Sequence, residues 1–560
     1  MELHARARDK GFWREVREKD CYAPFREELL SLWNNLCEGK DIPELRFSDF
    51  KLYWITGSRA EYEAVYFNRR LRLNASVFLS MIYPEQEKYF RYLEDILFSI
   101  CNEFTWCLPA HYGKIEQNNC RKIDLFAAET GFALAETYSM IGDRLDPLVA
   151  QRIKDEIDRR IIEPYATKLH QLWWESCENN WAAVCAGSVG CTVMLMRPER
   201  FPELRERIEE TMECYLSGFG DDGICVEGCG YWHYGFGFFL VYADMVKTFT
   251  DGEIDHFPRP KVRAIATYIQ KMFLTGHCAI SFADSGHYLR YHLGILHYLK
   301  SVYPEEVTVF DRSYSYNYDN CARFCLHLRA ALWYREEYES NDLPAENYDH
   351  FAKGAEWFIH KTPTYGFAAK GGHNNESHNH NDVGSFIFAR NGRQILTDPG
   401  TGKYCKEYFG KQRYTFFHTV SEGHSLPIIG GEGQKPGREY CARDCRVENG
   451  DFVLDIAGAY GIPELTALVR RFSFTDAGIM VSDRFDYCGT AVLRERIVTR
   501  VLPSAEIAGE IAVDGSTLRY DANAVSDVEI QKHTFDGSAD AYTVDLILRE
   551  GVREFSYTVE

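Results

Sequence analysis

The 560-residue chain lacks any apolar run approaching the ~20 residues of a bilayer-spanning helix, so no transmembrane segment or membrane partner is expected. Its opening, MELHARARDKGFWREV, is charged and has no apolar stretch of the signal-peptide kind. A cytoplasmic protein is the expectation, or a secreted or periplasmic one if a leader has been trimmed. Basic runs of the nuclear or RNA-binding type are missing as well, and the net charge is −20. Such a surface repels polyanions, which excludes nucleic acid as a partner and means that an anionic ligand needs a locally basic cleft. No C-x-x-C spacing or disulfide framework organises the 18 cysteines, although Cys225/Cys229, Cys321/Cys325 and Cys441/Cys445 each sit four apart. They read as reduced, mostly buried thiols of a reducing compartment.

What is present begins with length: 560 residues exceed one compact core, so two domains are expected. The first ~340 residues carry helical periodicity in segment after segment, with no strand series between. Examples are residues 25–36, 88–104, 123–141, 148–166, 203–219, 261–274, 291–303 and 322–338. After residues 339–350 the texture changes. SFIFARNGRQILTD reads as two strands around Asn391-Gly392, a type I′ hairpin signal. Alternating strands and Gly-bearing turns continue to the end. The expected architecture is an N-terminal helical domain, residues 1–345, followed by an antiparallel β-sandwich, residues 346–560. Nothing in the chain decides its oligomeric state, and a homo-oligomer is possible.

At the start of the β region stands GGHNNESHNHNDVGSF, residues 371–386. In an extended segment His378, His380 and Asp382 share one face, while Asn379 and Asn381 share the other. Such a row suits a metal, a proton transfer, or both. The hairpin return ends at Asp398 and should bring it back level with the histidines. His424 precedes a later strand. His380, Asp398 and His424 would form a two-imidazole, one-carboxylate site for zinc or manganese. The alternative is histidines hydrogen-bonded inside a sheet, with Asp398 initiating a turn.

Three helical-region segments also stand out. ENNWAAVCAG sets Asn179 and Asn180 before an apolar helix, where asparagine also serves as an N-cap. DDGICVEGCGYWHYGFGFF carries Glu227, Tyr231, His233 and Tyr234, and could equally be a packed aromatic loop. TWCLPAHYGK supplies Trp106 and His111, which could line a sugar cleft or cap a helix pair.

HNHNDVGSF followed by ILTDPGTG resembles the β-sandwich signature of the heparinase II/III-like polysaccharide lyases. TWCLPAHY, IDLFAAETG, NNWAAVC and DG-x-x-x-EG-x-x-YW-x-YG resemble that superfamily's toroid motifs, in the family's order across residues 105–430. The resemblance implies an incomplete (α/α) toroid followed by a β-sandwich, an active cleft between them, and β-elimination on uronate-containing glycans. It implies that Asn179, beside Asn180, neutralises the uronate carboxylate and that Tyr234 delivers a proton to the leaving oxygen. His378 matches the catalytic histidine, with Tyr408 as its companion and Tyr404 and Tyr414 as rivals. His380, Asp398 and His424 match the metal triad, which would brace His378. Trp106, His111, Tyr231, His233, Glu227 and Arg413 would contact an acidic glycan or oligosaccharide. One departure is that several relatives carry Asn-His where this chain has Asn179-Asn180.

Two other readings remain. A glycoside hydrolase on a helical toroid would use paired carboxylates, for which Asp124, Asp222 and Glu227 are the nominees. A catalytically silent glycan-binding protein would have no use for Tyr234, His378 and Asn179 together.

Overall fold

The computed structural model describes residues 3–170, 172–288, 292–310, 321–338, 347–534 and 540–560. The chain forms a helical unit and a β unit. The helical unit takes Met1–Gly218, Trp232–Ala266 and Arg290–Asn341, and the β unit takes Phe219–Tyr231, Thr267–Leu289 and Asp342–Glu560. The single boundary expected between residues 345 and 346 falls outside the described residues. Two stretches from the expected helical half, Phe219–Tyr231 and Thr267–Leu289, belong to the β unit.

In the helical unit, the longer helices are joined by short connections at residues 83–86, 142–146 and 197–200 and by much longer segments elsewhere. They include Ala60–Ile82, Glu87–Cys101, Leu125–Ile141, Pro147–Ile157, Asn180–Met196, Phe201–Ser217, Gly237–Phe249, Leu293–Val302 and Phe324–Leu332. Asn180–Met196 is buried on nearly every side and packs on Leu125–Ile141, Phe201–Ser217 and Gly237–Phe249. Its apolar, small-residue composition without a polar face fits that central position. Both central helices start on a side-chain cap: Asp124 accepts from Ala127 N–H, and Asn179 from Trp181 N–H. The helix expected over 261–274 stops short. Helical turns cover Pro260–Ala266 and Tyr268–Lys271, and Phe273–Thr275 is a strand paired with Cys278–Ala279.

Every strand pairing in the β unit is antiparallel. A five-stranded meander runs Tyr348–Ala352, Trp357–Lys361, Gly366–Lys370, Phe386–Arg390 and Arg393–Leu396. Asn391 and Gly392 both take positive φ, 53° and 75°, and close the tight hairpin that their pair signals. A seven-stranded sheet and a four-stranded sheet complete the unit, apart from small ribbons. The strand Ile479–Tyr487 alternates buried and outward residues, as a sheet with one covered face requires. Phe358 stacks on Phe452 at 5.2 Å and Phe367 meets Phe472 at 5.0 Å, which knits the five- and seven-stranded sheets into one apolar core.

Arg470 is fully buried in that core and donates to both oxygens of Asp483 at 2.8 and 2.6 Å. It also donates to the carbonyls of Gly384 at 3.0 Å and Ser425 at 2.8 Å. A buried charge needs such full satisfaction to be tolerated. These two carbonyls belong to the loop after the histidine row and to the residue after His424, so the cation fixes both site segments on the sheet.

None of the 18 cysteines forms a disulfide. Among the described residues no helix is long and apolar enough to cross a membrane.

Candidate active site

The histidine-rich segment is not an extended strand. After a two-residue strand, His373–Asn374, it turns, and His378 has a φ of +59°. A non-glycine residue there costs on the order of 1 kcal/mol, and such strain collects at functional sites. The turn aims His378 and His380 at one carboxylate, that of Asp284. His378 Nδ1–H donates to Oδ2 at 2.7 Å, and His380 Nε2–H donates to Oδ1 at 3.1 Å. Tyr408 donates to Asp284 Oδ1 at 2.6 Å, and Arg413 reaches Oδ2 at 3.3 Å. The hydrogen bonds from His378 and His380 outweigh burial and hold the Asp284 carboxyl well below the usual carboxylate range. Asp382 leaves the expected row and pairs with the buried Lys370 ammonium at 2.7 Å.

With Nδ1 engaged by Asp284, Nε2 is the His378 nitrogen left to face a ligand. Nε2 lies 3.9 Å from Glu227 Oε2, and the imidazole stacks on Tyr231 at 4.2 Å. The Tyr231 hydroxyl shares a 2.6 Å hydrogen bond with that of Tyr404, whose ring is 37% exposed. Tyr408 is fully buried. Its hydroxyl is taken up by Asp284, so it supports His378 from behind and does not reach a sugar. Tyr404 is the better placed companion. Tyr414 stands apart from His378, its hydroxyl 3.4 Å from Asn379 Nδ2. Arg413 is oriented inward, on the carbonyls of Asn379 and Tyr408 and on Asp284, which makes it a support of the cluster.

His380, Asp398 and His424 do come together. All three are fully buried, and their ligand atoms lie within 4.8 Å of one another. His424 Nε2–H donates to the His418 carbonyl at 3.0 Å, which turns Nδ1 towards Asp398 Oδ2, also at 3.0 Å. Burial disfavours the His424 cation, but the Asp398 carboxylate overrides it and raises the pKa. His380 Nδ1 is buried with no hydrogen-bond partner, because its other nitrogen serves Asp284. An orphaned imidazole nitrogen facing a carboxylate and a second imidazole fits a divalent cation, and Asp284 would be the outer carboxylate that fixes the ligand's tautomer.

In the helical unit Tyr234 sits on one wide π-helical turn, Trp232–Phe236, of the sort that often marks functional positions. A side chain at Gly235 would meet Asn180 Cβ at 3.1 Å, so glycine lets this turn close onto the amide pair. The Tyr234 hydroxyl donates to Glu129 Oε1 at 2.6 Å, and the Arg323 guanidinium lies 3.6 Å from the centre of its ring. Burial, together with Glu129, pushes the phenol well above its ordinary pKa against the opposing pull of Arg323. Tyr234 is therefore a protonated acid at neutral pH. Asn179 caps the central helix through its oxygen, which leaves the Nδ2 hydrogens to donate. Asn180 is buried behind it, and His233 is half-buried on the Tyr234 turn.

His111 donates from Nδ1 to Asp124 Oδ2 at 2.8 Å and borders a cavity of ≈ 260 Å³. Trp106 is not a cleft wall. It is 1% exposed, donates from Nε1 to the Ile100 carbonyl at 3.1 Å, and lies under the Arg160 guanidinium. Asp284, Glu129 and Arg323 are functional-looking residues that sequence reasoning missed. Glu129 lies inside IDLFAAETG, where its polar side chain among helical apolar residues was the available signal.

No family model matches the chain, and no curated protein matches it either. Solved structures do. A heparinase III structure is similar over 98% of this chain and 91% of its own, with TM-score 0.63 and 12% identity. A heparan sulfate lyase from Pedobacter heparinus is similar over 99% and 86%, with TM-score 0.60 and 13% identity. A Streptomyces coelicolor chondroitin AC lyase in complex with chondroitin sulphate is similar over 97% and 82%, with TM-score 0.51 and 11% identity. At these identities the likeness is one of fold, a helix-rich N-terminal part followed by antiparallel β-sheets.

Proposed function

We propose that the chain is a lyase that opens uronate-containing glycans by β-elimination and leaves an unsaturated uronate. The carrying observation is His378: its Nδ1 is held by the buried Asp284 carboxylate, which turns Nε2 outward, and its backbone is strained into position. Elimination removes a weakly acidic proton beside a carboxylate, so the substrate's negative charge must be quenched first. Asn179 donates to that carboxylate without adding a competing base. His378 Nε2 takes the C5 proton, and Asp284 stabilises the imidazolium that results. Tyr234 protonates the departing C4 oxygen, after exchanging its hydrogen bond to Glu129 for one to the sugar. Arg323 then stabilises the phenolate. Heparan sulfate or heparosan, hyaluronan, chondroitin and alginate are the substrate candidates, and the similar structures are lyases of the first and third kinds.

The hydrolase reading loses support from its own nominees. Asp124 is taken up by Ala127 N–H, Leu108 N–H and His111. Asp222 accepts from Ile224 N–H and Gly354 N–H. Incubation with oligomers of the four glycans, followed by ultraviolet absorbance, tests the proposal. A rise with at least one of them is expected from the new conjugated double bond. Reducing ends appearing without absorbance would establish hydrolysis instead.

His380, Asp398 and His424 would hold one divalent ion, zinc or manganese. Bound there, it would neutralise Asp398 and brace the loop that carries His378. Chelation should lower the melting temperature by roughly 2–5 °C, the size expected in a chain of this length for losing a ligand held at about a hundred times its Kd. Zinc or manganese should restore it, and a melting curve indifferent to chelator would remove the metal from the account.

A further inference from the structure

The ≈ 260 Å³ cavity beside His111 lies wholly within the helical unit, and its charged lining has an unexpected sign. Its one carboxylate, Asp124, is turned into the protein. Oδ1 accepts from Ala127 N–H at 2.8 Å, and Oδ2 accepts from His111 Nδ1 at 2.8 Å and Leu108 N–H at 3.2 Å. The groups left to face a ligand are the His111 ring and the Lys122 ammonium. Lys122 donates one hydrogen to the His111 carbonyl at 2.6 Å, which fixes it on the wall with two hydrogens to spare. His170 lies near: burial lowers its pKa first, and the charges of Lys122 and Arg121 lower it further. Two basic side chains, His111 and Lys122, thus line one cavity of a protein whose net charge is −20.

The remaining wall is aromatic. Trp173 is 48% exposed and tilts across Trp181 at 4.7 Å, and Trp181 stands edge-on to His111 at 4.7 Å. Broad apolar ring faces bind the apolar C–H face of a pyranose, while a fixed ammonium binds its anionic substituent. Small-molecule sites run from about 300 to 1,000 Å³. A cavity of ≈ 260 Å³ therefore has room for one sugar ring, with any further rings of a chain outside it.

We propose that this cavity is a binding subsite for a single anionic pyranose, stacked on Trp173 and held at its carboxylate or sulfate by Lys122. The assignment extends the lyase reading by naming the charge demanded of a sugar other than the one undergoing elimination. In that role it rests on that reading. Trp181 follows the amide pair directly, so the stacking wall and the carboxylate-quenching Asn179 lie at one helix start.

The test is a tryptophan-fluorescence titration of the full chain carrying Tyr234→Phe, which prevents turnover and leaves the cavity untouched. The probes are a heparosan tetrasaccharide, with carboxylates only, a heparan sulfate tetrasaccharide and neutral cellotetraose. Both acidic probes, or only the one bearing the preferred anion, should quench, and cellotetraose should bind at least tenfold more weakly. Lys122→Gln should weaken the acidic probe about tenfold, as expected for losing one charge-assisted hydrogen bond. Trp173→Ala should abolish the quench, and Trp173→Phe should retain most of the affinity. Acidic-probe affinity unchanged in both Lys122→Gln and Trp173→Ala, or cellotetraose binding as tightly, would overturn the subsite. Altered affinity in these variants with no ultraviolet-absorbing product from the parent chain would retain the subsite and overturn the lyase.

Discussion

Replacing Tyr234 by phenylalanine is expected to lower kcat by roughly 10²–10⁴-fold, the usual contribution of a positioned proton donor, with KM little changed. The substitution removes one oxygen from a buried ring and leaves the aromatic face under Arg323 intact. Folding should hardly change. Its surroundings keep the phenol protonated: burial and Glu129 raise it, against the pull of Arg323. A base in that position would need the reverse balance. The measurement is the initial rate of ultraviolet absorbance on the best glycan, with circular dichroism to confirm the fold. A variant retaining more than roughly a tenth of the parental kcat would show that the phenol is not the proton donor.

The division into helices and then strands was legible because it rests on local signals. Apolar periodicity, asparagine and aspartate caps and the Asn391-Gly392 turn each act within a few residues. The meeting of His380, Asp398 and His424 was legible for another reason. His380, Asp398 and His424 are ligand-type side chains at the ends of strands whose hairpin return could be traced.

Asp284 gave no such sign. It follows Ala283, which has a φ of +59°, in a turn that looks like any Asp-bearing turn. Its partners His378 and Arg413 lie 94 and 129 residues away. Arg323 was equally silent, one residue ahead of a helix that periodicity explains without it. Trp106 misled in the opposite direction. A tryptophan near a histidine suggests a sugar wall, yet its indole N–H found the Ile100 carbonyl and the ring went into the core. At 273–275 periodicity lost to tertiary pairing, since the last turn of an expected helix became a strand edge.

His378→Ala should lower turnover at least as far as the tyrosine change, again by roughly 10²–10⁴-fold. The companion variant, Asp284→Asn, separates chemistry from support. An amide keeps the size of the carboxylate and can still accept from His378 Nδ1–H. It cannot stabilise the imidazolium, and with its oxygen kept on His378 and Arg413 its NH₂ group faces donors at the Oδ1 position, where Asp284 now accepts from Tyr408 and His380. Asp284→Asn should therefore lose kcat while its KM for the glycan stays within about twofold, since Asp284 is buried and touches no substrate. It should also lower the melting temperature, because Tyr408 and His380 lose their acceptor and His378 and Arg413 keep only a neutral one. His378→Ala should also lower the melting temperature, though less than Asp284→Asn, because buried Asp284 loses one donor while Tyr408, His380 and Arg413 remain, and alanine keeps the left-handed strain. Full activity in His378→Ala would transfer the base to another residue, with Tyr404, 2.6 Å from the Tyr231 hydroxyl and open to solvent, the next to test. A KM rise with kcat intact in Asp284→Asn would instead make the carboxylate a determinant of binding.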